Sequence, residues 1–255
     1  MLRQLFKNIV ESEYHKRTGN AIMKNVLIFT GGEYPNPDEC PYVSDNSFDF
    51  VLCADSGLDV FECYKKYFGE KKFYCPDIII GDMDSVSDKS LIDKYKTSVL
   101  KKYSHYKDYS DTELALMEAK NIFPGEKKNV VLLGASGGRI DHFLHVYSMF
   151  SRDFYPDVWL TPGMKSFVLC EKQSCRIHAL SIEDRISFLD LECGMLSVRS
   201  QGLEWEGDRF MGGLVPSLSN RVSDSNYRNS KPVEVTVESG RCLVCVPYES
   251  VFERI

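Results

Sequence analysis

The chain has 255 residues, 43% of them hydrophobic, and a formal net charge of −6. That size and apolar content suit one large or two modest domains with a real core, while the acidic balance argues against nucleic acid as a partner, since that recognition needs a basic surface. No apolar run approaches a bilayer span, the start of the chain lacks a signal-peptide core, and nine cysteines without a tight framework read as reduced thiols, so a cytoplasmic protein with no membrane contact is expected.

Residues 1–22 carry Leu2, Leu5, Phe6, Ile9 and Val10 at helical spacing, which predicts an amphipathic helical extension. From Lys24, NVLIFTGGE reads as a buried strand ending in Gly31 and Gly32, where the backbone can approach a ligand closely. Residues 33–47, rich in Pro, Asp and Asn, read as a loop. FDFVLCADSG is a second strand, with Asp55 at its end, and the following residues to Phe68 space Leu58, Phe61, Tyr64, Lys65 and Phe68 as a helical stripe. PDIIIGDMDSV follows: three isoleucines suit a strand buried on both faces, Gly81 ends it, and Asp82 and Asp84 stand just beyond. Ser87 to Lys96 reads as a helix capped by Ser87, and a short strand is expected around Ser98 to Lys101.

KDYSDTELAL then sets Lys107, Asp108, Ser110 and Asp111 at the start of a helix that Ser110 or Asp111 can cap, with Leu114, Ala115 and Ile122 facing inward. A fifth strand, NVVLLG, runs into a turn holding Gly134, Gly137 and Gly138, followed by Arg139, Asp141 and His142 at a helix start. Backbone N–H groups of such a turn suit a phosphate, and arginine adds a planar, permanently charged donor fork. In open α/β sheets ligands bind at the carboxyl ends of the strands, where all these residues fall.

One acidic turn is ordinary; the recurrence is the signal. Two carboxylates about 4 Å apart repel by roughly 4 kcal/mol at an effective dielectric near 20, so such a group asks for a cation, and magnesium is the hard ion usually shared with phosphates. The acids with one arginine and a glycine turn read as a magnesium-dependent phosphoryl-transfer site. Neither a GxxxxGK[ST] nor a GxGxxG pattern explains it. The residues alone leave open another magnesium-dependent phosphotransferase or nucleotide hydrolase, or a non-catalytic protein that binds a nucleotide or another small molecule.

Beyond residue 162 the runs SFVLC, SCRIHAL, RISFLDL, MLSVRS, PVEVTVE and RCLVCVP alternate apolar and polar residues between turns, as in an antiparallel β-sandwich. Trp205 can stack on a ring or fill a core, and Ser219 and Asn220 can bind a ligand or make a turn. Cys242 and Cys245, three apart on a strand, point to opposite faces and do not suit zinc.

CADSG at 53–57, PDIIIGDMDS at 76–85, KDYSDTELAL at 107–116, GGRIDH at 137–142, GLEW at 202–205 and SLSNR at 217–221 resemble, in order and spacing, the thiamine pyrophosphokinase (thiamine diphosphokinase) family. Ser110 stands where that family commonly has threonine. The resemblance implies an α/β domain at 23–162 that binds ATP and Mg2+, followed by a thiamine-binding β-sandwich at 163–255. It implies transfer of a diphosphoryl group from ATP to the hydroxyl of thiamine, by a homodimer in which one sandwich helps close the other subunit's thiamine site. Asp82, Asp84 and Asp108 are then expected to hold magnesium, directly or through water. Asp55, Asp82, Asp84, Asp108, Asp111 and Arg139 form the catalytic set. ATP is assigned Gly31, Gly32, Asp55, Ser110, Gly137, Gly138, Arg139, Asp141 and His142, and thiamine is assigned Lys107, Asp111, Trp205, Ser219 and Asn220.

Overall fold

The computed structural model describes residues 23–255 except 105–107, 153, 193, 195, 207–209 and 212–216. The expected N-terminal helix and Lys107 lie outside the described residues. The chain forms two compact units that meet in sequence at Gly163 and Met164.

In the first unit six strands, β1 (Lys24–Thr30), β2 (Phe50–Ala54), β3 (Ile78–Gly81), β4 (Val99–Lys102), β5 (Lys128–Leu133) and β6 (Val158–Thr161), pair in the order β6-β5-β1-β2-β3-β4. Every pairing among them is parallel. Successive strands step outward from β1 to β4, and the chain then returns to place β5 on the other side of β1. Ligands favour the crevice at such a reversal. Val26 to Phe29, Leu52, Cys53 and Ile78 to Ile80 are almost wholly buried, as continuous apolar runs require in a sheet covered on both faces.

The helices are α1 (Pro41–Asp45), α2 (Gly57–Phe68), α3 (Ser90–Lys94), α4 (Asp111–Asn121) and α5 (Ile140–Met149). The stripe on α2 is seated as its spacing predicts: Leu58, Phe61 and Tyr64 are buried, and the Phe61 and Tyr64 rings lie edge-on to Phe29 of β1. The Pro/Asp/Asn stretch contains α1, opened by Pro41 in the first turn, where a missing N–H costs nothing. The expected helix over 87–96 is shorter and is not capped by Ser87. The Ser87 N–H and hydroxyl both donate to Asp59, at 3.0 and 3.1 Å, and the Asp88 carboxylate accepts the Ser90 N–H instead. At the start of α4 the Ser110 hydroxyl accepts the Glu113 N–H while the Glu113 side chain accepts the Ser110 N–H, a reciprocal capping box.

At the amino-terminal edge of the sheet, aspartates close the strand starts. Asp49, Asp77 and Asp157 each accept the backbone N–H of a residue in the adjacent strand, Asn25, Val51 and Val130, at 2.9, 2.8 and 2.7 Å.

The second unit holds β7 (Met164–Cys170), β8 (Ser174–His178), β9 (Ile186–Asp190), β10 (Ser197–Gln201), β11 (Phe210–Met211), β12 (Ser217–Asn220), the short helix α6 (Asp224–Arg228), β13 (Val233–Ser239), β14 (Arg241–Val246) and β15 (Val251–Arg254). Two antiparallel layers form, β12-β9-β14-β7 and β11-β10-β13-β8-β15. Between them Phe167, Leu169, Phe188, Val244 and Val246 meet Cys175, Ile177, Val198, Val233, Val235 and Val237 in one core. The six runs marked by alternation are strands. β11, β12 and β15 carried too little pattern to be read. Cys242 is fully buried and Cys245 half-buried on β14, with the Ser166 hydroxyl 3.2 Å from the Cys245 sulfur.

Candidate functional site

At the carboxyl edge of the parallel sheet, β2 and β3 end side by side and α4 begins beside them. The Asp55 N–H donates to Ile80 O at 2.9 Å, which locks the turn after β2 onto β3. Asp55 adopts φ 46° and Met83 φ 64°, left-handed conformations that cost an ordinary side chain free energy and concentrate at functional sites. Asp55, Asp82 and Asp111 converge there, each with a carboxylate oxygen within 4.8 Å of the others'. Gly81 makes this possible: with φ 142°, a Cβ at that position would stand 2.9 Å from the Asp111 Oδ1 and 3.2 Å from the Asp55 Cβ.

Electrostatics set this cluster apart from a solvated acidic patch. Asp55 is only 8% exposed, and its Oδ1 is buried with no hydrogen-bond partner among the described residues. Burial pushes its carboxyl up from the ordinary aspartate range. The charges of Asp82 and Asp84 push the same way, against hydrogen bonds from Ser85 and the Ser56 backbone. At these separations each like-charged pair repels by about 3–4 kcal/mol at an effective dielectric near 20. A buried, unpartnered oxygen on an acid clustered with two more carboxylates fits a divalent, oxygen-seeking cation such as magnesium, and Asp55, Asp82 and Asp111 are the residues that would hold it.

This trio differs from the metal set expected from sequence. Asp82 is common to both. Asp84 is exposed and accepts the Ser85 hydroxyl at 2.9 Å, and Asp108 is exposed; both lie outside the trio. Met83 between them is left-handed at φ 64°, which breaks the extended path on which residues two apart would share a face, and GDMDS has Asp82 in the cluster and Asp84 exposed. An open cavity of about 520 Å³ adjoins, lined by Asp82, Asp84, Lys102, Tyr103 and Ser104.

The phosphate-type turn lies across the crevice between β1 and β5. The Ala135 N–H donates to Gly31 O at 2.8 Å, and Glu33 pairs with Ser136 in an isolated bridge. Gly32, at φ 82°, takes the one shape that lets this contact close, since a Cβ there would meet Ser136 O at 2.8 Å. Gly137, Gly138, Arg139, Asp141 and His142 are all exposed. The Arg139 guanidinium makes a two-pronged contact with Asp141, at 3.2 and 2.5 Å, which holds that carboxyl down at about 2. Ser110 is engaged as the α4 cap, so its hydroxyl orders the helix that carries Asp111.

In the second unit, Asn220 is 1% exposed and its amide is committed to backbone. Its Nδ2 donates to Trp205 O at 2.9 Å, and its Oδ1 accepts the N–H groups of Trp205 and Arg221. The asparagine thereby fixes a tryptophan that is itself 59% exposed, so Trp205 is not a core residue. Ser219, exposed at φ 57°, is anchored by its backbone N–H, which donates to the Ser187 hydroxyl oxygen at 3.0 Å.

Two residues escaped the sequence reading. Lys89 donates to Asp84 O at 3.0 Å and to Met83 O, pinning the turn between the two acids. Nothing in the spacing marks it. Glu113 was visible as the fourth residue of S-x-x-E, a capping-box signature.

Fold and site together define a bipartite protein, a parallel α/β unit with a carboxylate cluster at its carboxyl edge followed by an antiparallel β-sandwich. Residues 44–158, through the heart of the first unit, match the family model described as "Thiamin pyrophosphokinase, catalytic domain". The chain is 25% identical over 216 residues to thiamine pyrophosphokinase 1 of Arabidopsis thaliana, covering 76% of this chain and 75% of that one. It is 28% identical over 201 residues to thiamine pyrophosphokinase 1 of Oryza sativa subsp. japonica, covering 69% and 73%. Among solved structures, thiamin pyrophosphokinase from Candida albicans superposes with a TM-score of 0.65 at 17% identity, covering 88% of this chain and 89% of that one. The Bacillus subtilis thiamine pyrophosphokinase gives 0.64 at 16%, covering 88% and 99%, and these likenesses speak for the fold. The chain is thus similar to thiamine pyrophosphokinases in sequence, over residues 44–158 for the catalytic-domain model and over about 200 residues for the plant enzymes, and it shares their fold.

Proposed function

We propose that this chain is an ATP:thiamine diphosphotransferase, converting thiamine and ATP to thiamine diphosphate and AMP. The observation that carries the reading is the Asp55–Asp82–Asp111 cluster, with its buried unpartnered oxygen, inside the segment that matches the family's catalytic domain. The hydroxyl oxygen of thiamine forms a bond to the β-phosphorus of ATP, the bond from that phosphorus to the bridging α–β oxygen breaks, and AMP carries that oxygen away. Asp55, Asp82 and Asp111 would hold magnesium, with Asp84 and Asp108 acting on it through water, and the ion would supply the neutralisation of phosphate charge that phosphoryl chemistry mainly requires.

Asp111 orients the attacking hydroxyl, whose proton passes to a carboxylate of the cluster. Arg139, aimed by Asp141, grips phosphate with its donor fork. Residues 23–162 form the ATP and magnesium domain and 163–255 the thiamine domain, where Trp205 offers a stacking face. The working form is a cytoplasmic homodimer with the active site near the subunit interface.

The test is one incubation of purified protein with ATP, MgCl2 and thiamine, with products separated by chromatography. Equal amounts of AMP and thiamine diphosphate are expected. ADP or free phosphate with thiamine untouched would assign the cluster to a hydrolase or another acceptor, and no turnover at all would leave a binding protein.

A further inference from the structure

We infer that Glu113 is a positioning residue for the reaction, tying the acid that begins α4 to the helix that carries the arginine. The inference rests on the functional reading above for the roles of Asp111 and Arg139. Glu113 is 6% exposed and sits two residues after Asp111. Its Oε2 accepts the Ser110 N–H at 2.9 Å and the Ser110 hydroxyl at 3.1 Å, the ordinary business of a capping box. That would satisfy a helix start by itself.

The same carboxylate does more. Oε2 also lies 3.1 Å from His145 Nε2, and Oε1 accepts from Arg152 at 3.3 Å. His145 is on α5, and Arg152 follows that helix. His145 Nε2 is in turn 3.2 Å from the Ser110 hydroxyl, so cap, glutamate and histidine close a triangle. Arg139 is the residue from which α5 starts. One buried carboxylate therefore joins the start of the Asp111 helix to the body of the Arg139 helix. A glutamate serving only as a cap has no need of partners on a second helix. Glu113 fixes the separation between the metal-holding acid and the phosphate-gripping arginine, and a displacement of about 1 Å in such a pair can cost on the order of 100-fold in rate.

Glu113→Gln separates the roles, because the amide oxygen can still accept the Ser110 N–H while the charge facing His145 and Arg152 is gone. Expected are an unfolding temperature within a few degrees of the parent, a kcat for thiamine diphosphate lowered about 10- to 100-fold, and an unchanged KM for thiamine. Mn2+ binding in the presence of ATP, followed by electron paramagnetic resonance, should weaken about tenfold, as supporting residues around metal ligands typically produce. Arg152→Met, at a side chain half in solvent, guards against a folding failure. It should lower kcat by a smaller factor and add nothing when combined with Glu113→Gln, because both cut the same link.

Parental kcat and Mn2+ affinity in Glu113→Gln would overturn the inference and leave a cap alone. Should the parent protein make no thiamine diphosphate, the functional reading falls, and the Mn2+ titration still decides whether Glu113 positions the acids.

Discussion

The two edges of the parallel sheet use the same residue type for opposite purposes. At the amino-terminal edge Asp49, Asp77 and Asp157 each hold a neighbouring strand's N–H, so every carboxylate has a donor from the backbone. At the carboxyl edge Asp55, Asp82 and Asp111 face one another, on a backbone that takes left-handed conformations at Asp55 and Met83. The stretch PDIIIGDMDSV contains both kinds: Asp77 opens β3 as a clasp and Asp82 follows it within the carboxylate cluster. Acids at both edges accept hydrogen bonds; what distinguishes the carboxyl edge is that its acids are also set against one another.

The strongest way to break this contrast is Asp82→Asn or Asp111→Asn. Turnover should fall by about 1000-fold, the scale of removing a preorganised charge from a reaction site, with the unfolding temperature unchanged or higher because like charges no longer crowd. Activity near the parental value in either variant would remove the cluster from the chemistry.

Next in size, Trp205→Ala should raise the KM for thiamine about tenfold, the worth of one stacked cationic ring, with little change in stability since the side chain is largely exposed. A loss of stability without a KM change would make Trp205 a structural residue. Asp77→Ala should do the reverse of Asp82→Asn. Losing one backbone hydrogen bond costs about 1 kcal/mol, seen as a drop of roughly 2–4 °C in unfolding temperature at unchanged kcat.

The smallest expected effect concerns a buried polar group in the second unit. The Nε2 of His178 has no hydrogen-bond partner among the described residues, and burial pulls its pKa below the ordinary histidine value, with Glu253 and Arg176 acting in opposite directions. The unfolded chain therefore binds the proton more readily. Stability is full above about pH 6.5 and is lost as pH falls from there toward the folded-state value. His178→Gln should flatten the unfolding temperature between about pH 5 and 7 by a few °C, and an unchanged profile would place the acid sensitivity elsewhere.

Much of this was legible in the chain because the physics is local. Three isoleucines before a glycine name a buried strand and its end, and acids at several strand ends announce the functional edge. The α2 stripe and the six alternating runs speak equally plainly. What stayed hidden depends on tertiary placement. Which of Asp55, Asp82, Asp84, Asp108 and Asp111 would meet is decided by turns at Asp55, Gly81 and Met83, whose torsions no spacing rule states. Asn220 was legible as a motif residue, but its grip on the Trp205 backbone requires two segments 15 residues apart to be seen together. Ser87 lost its cap to Asp59, 28 residues away, by the same logic.

The position of β1 also governs how the molecule is made. Its residues pair with β2 on one side and with β5 on the other, and Asn25 meets Asn129 across 104 positions of chain. At a synthesis rate of about 5–20 residues per second, the β5 side of this strand stays open for roughly 5–20 s after β1 itself is complete. Val26, Leu27, Ile28 and Phe29, all fully buried in the finished protein, present an apolar strand edge throughout that interval. The central strand of the first unit is thus a segment that needs protection on the ribosome until β5 has been made.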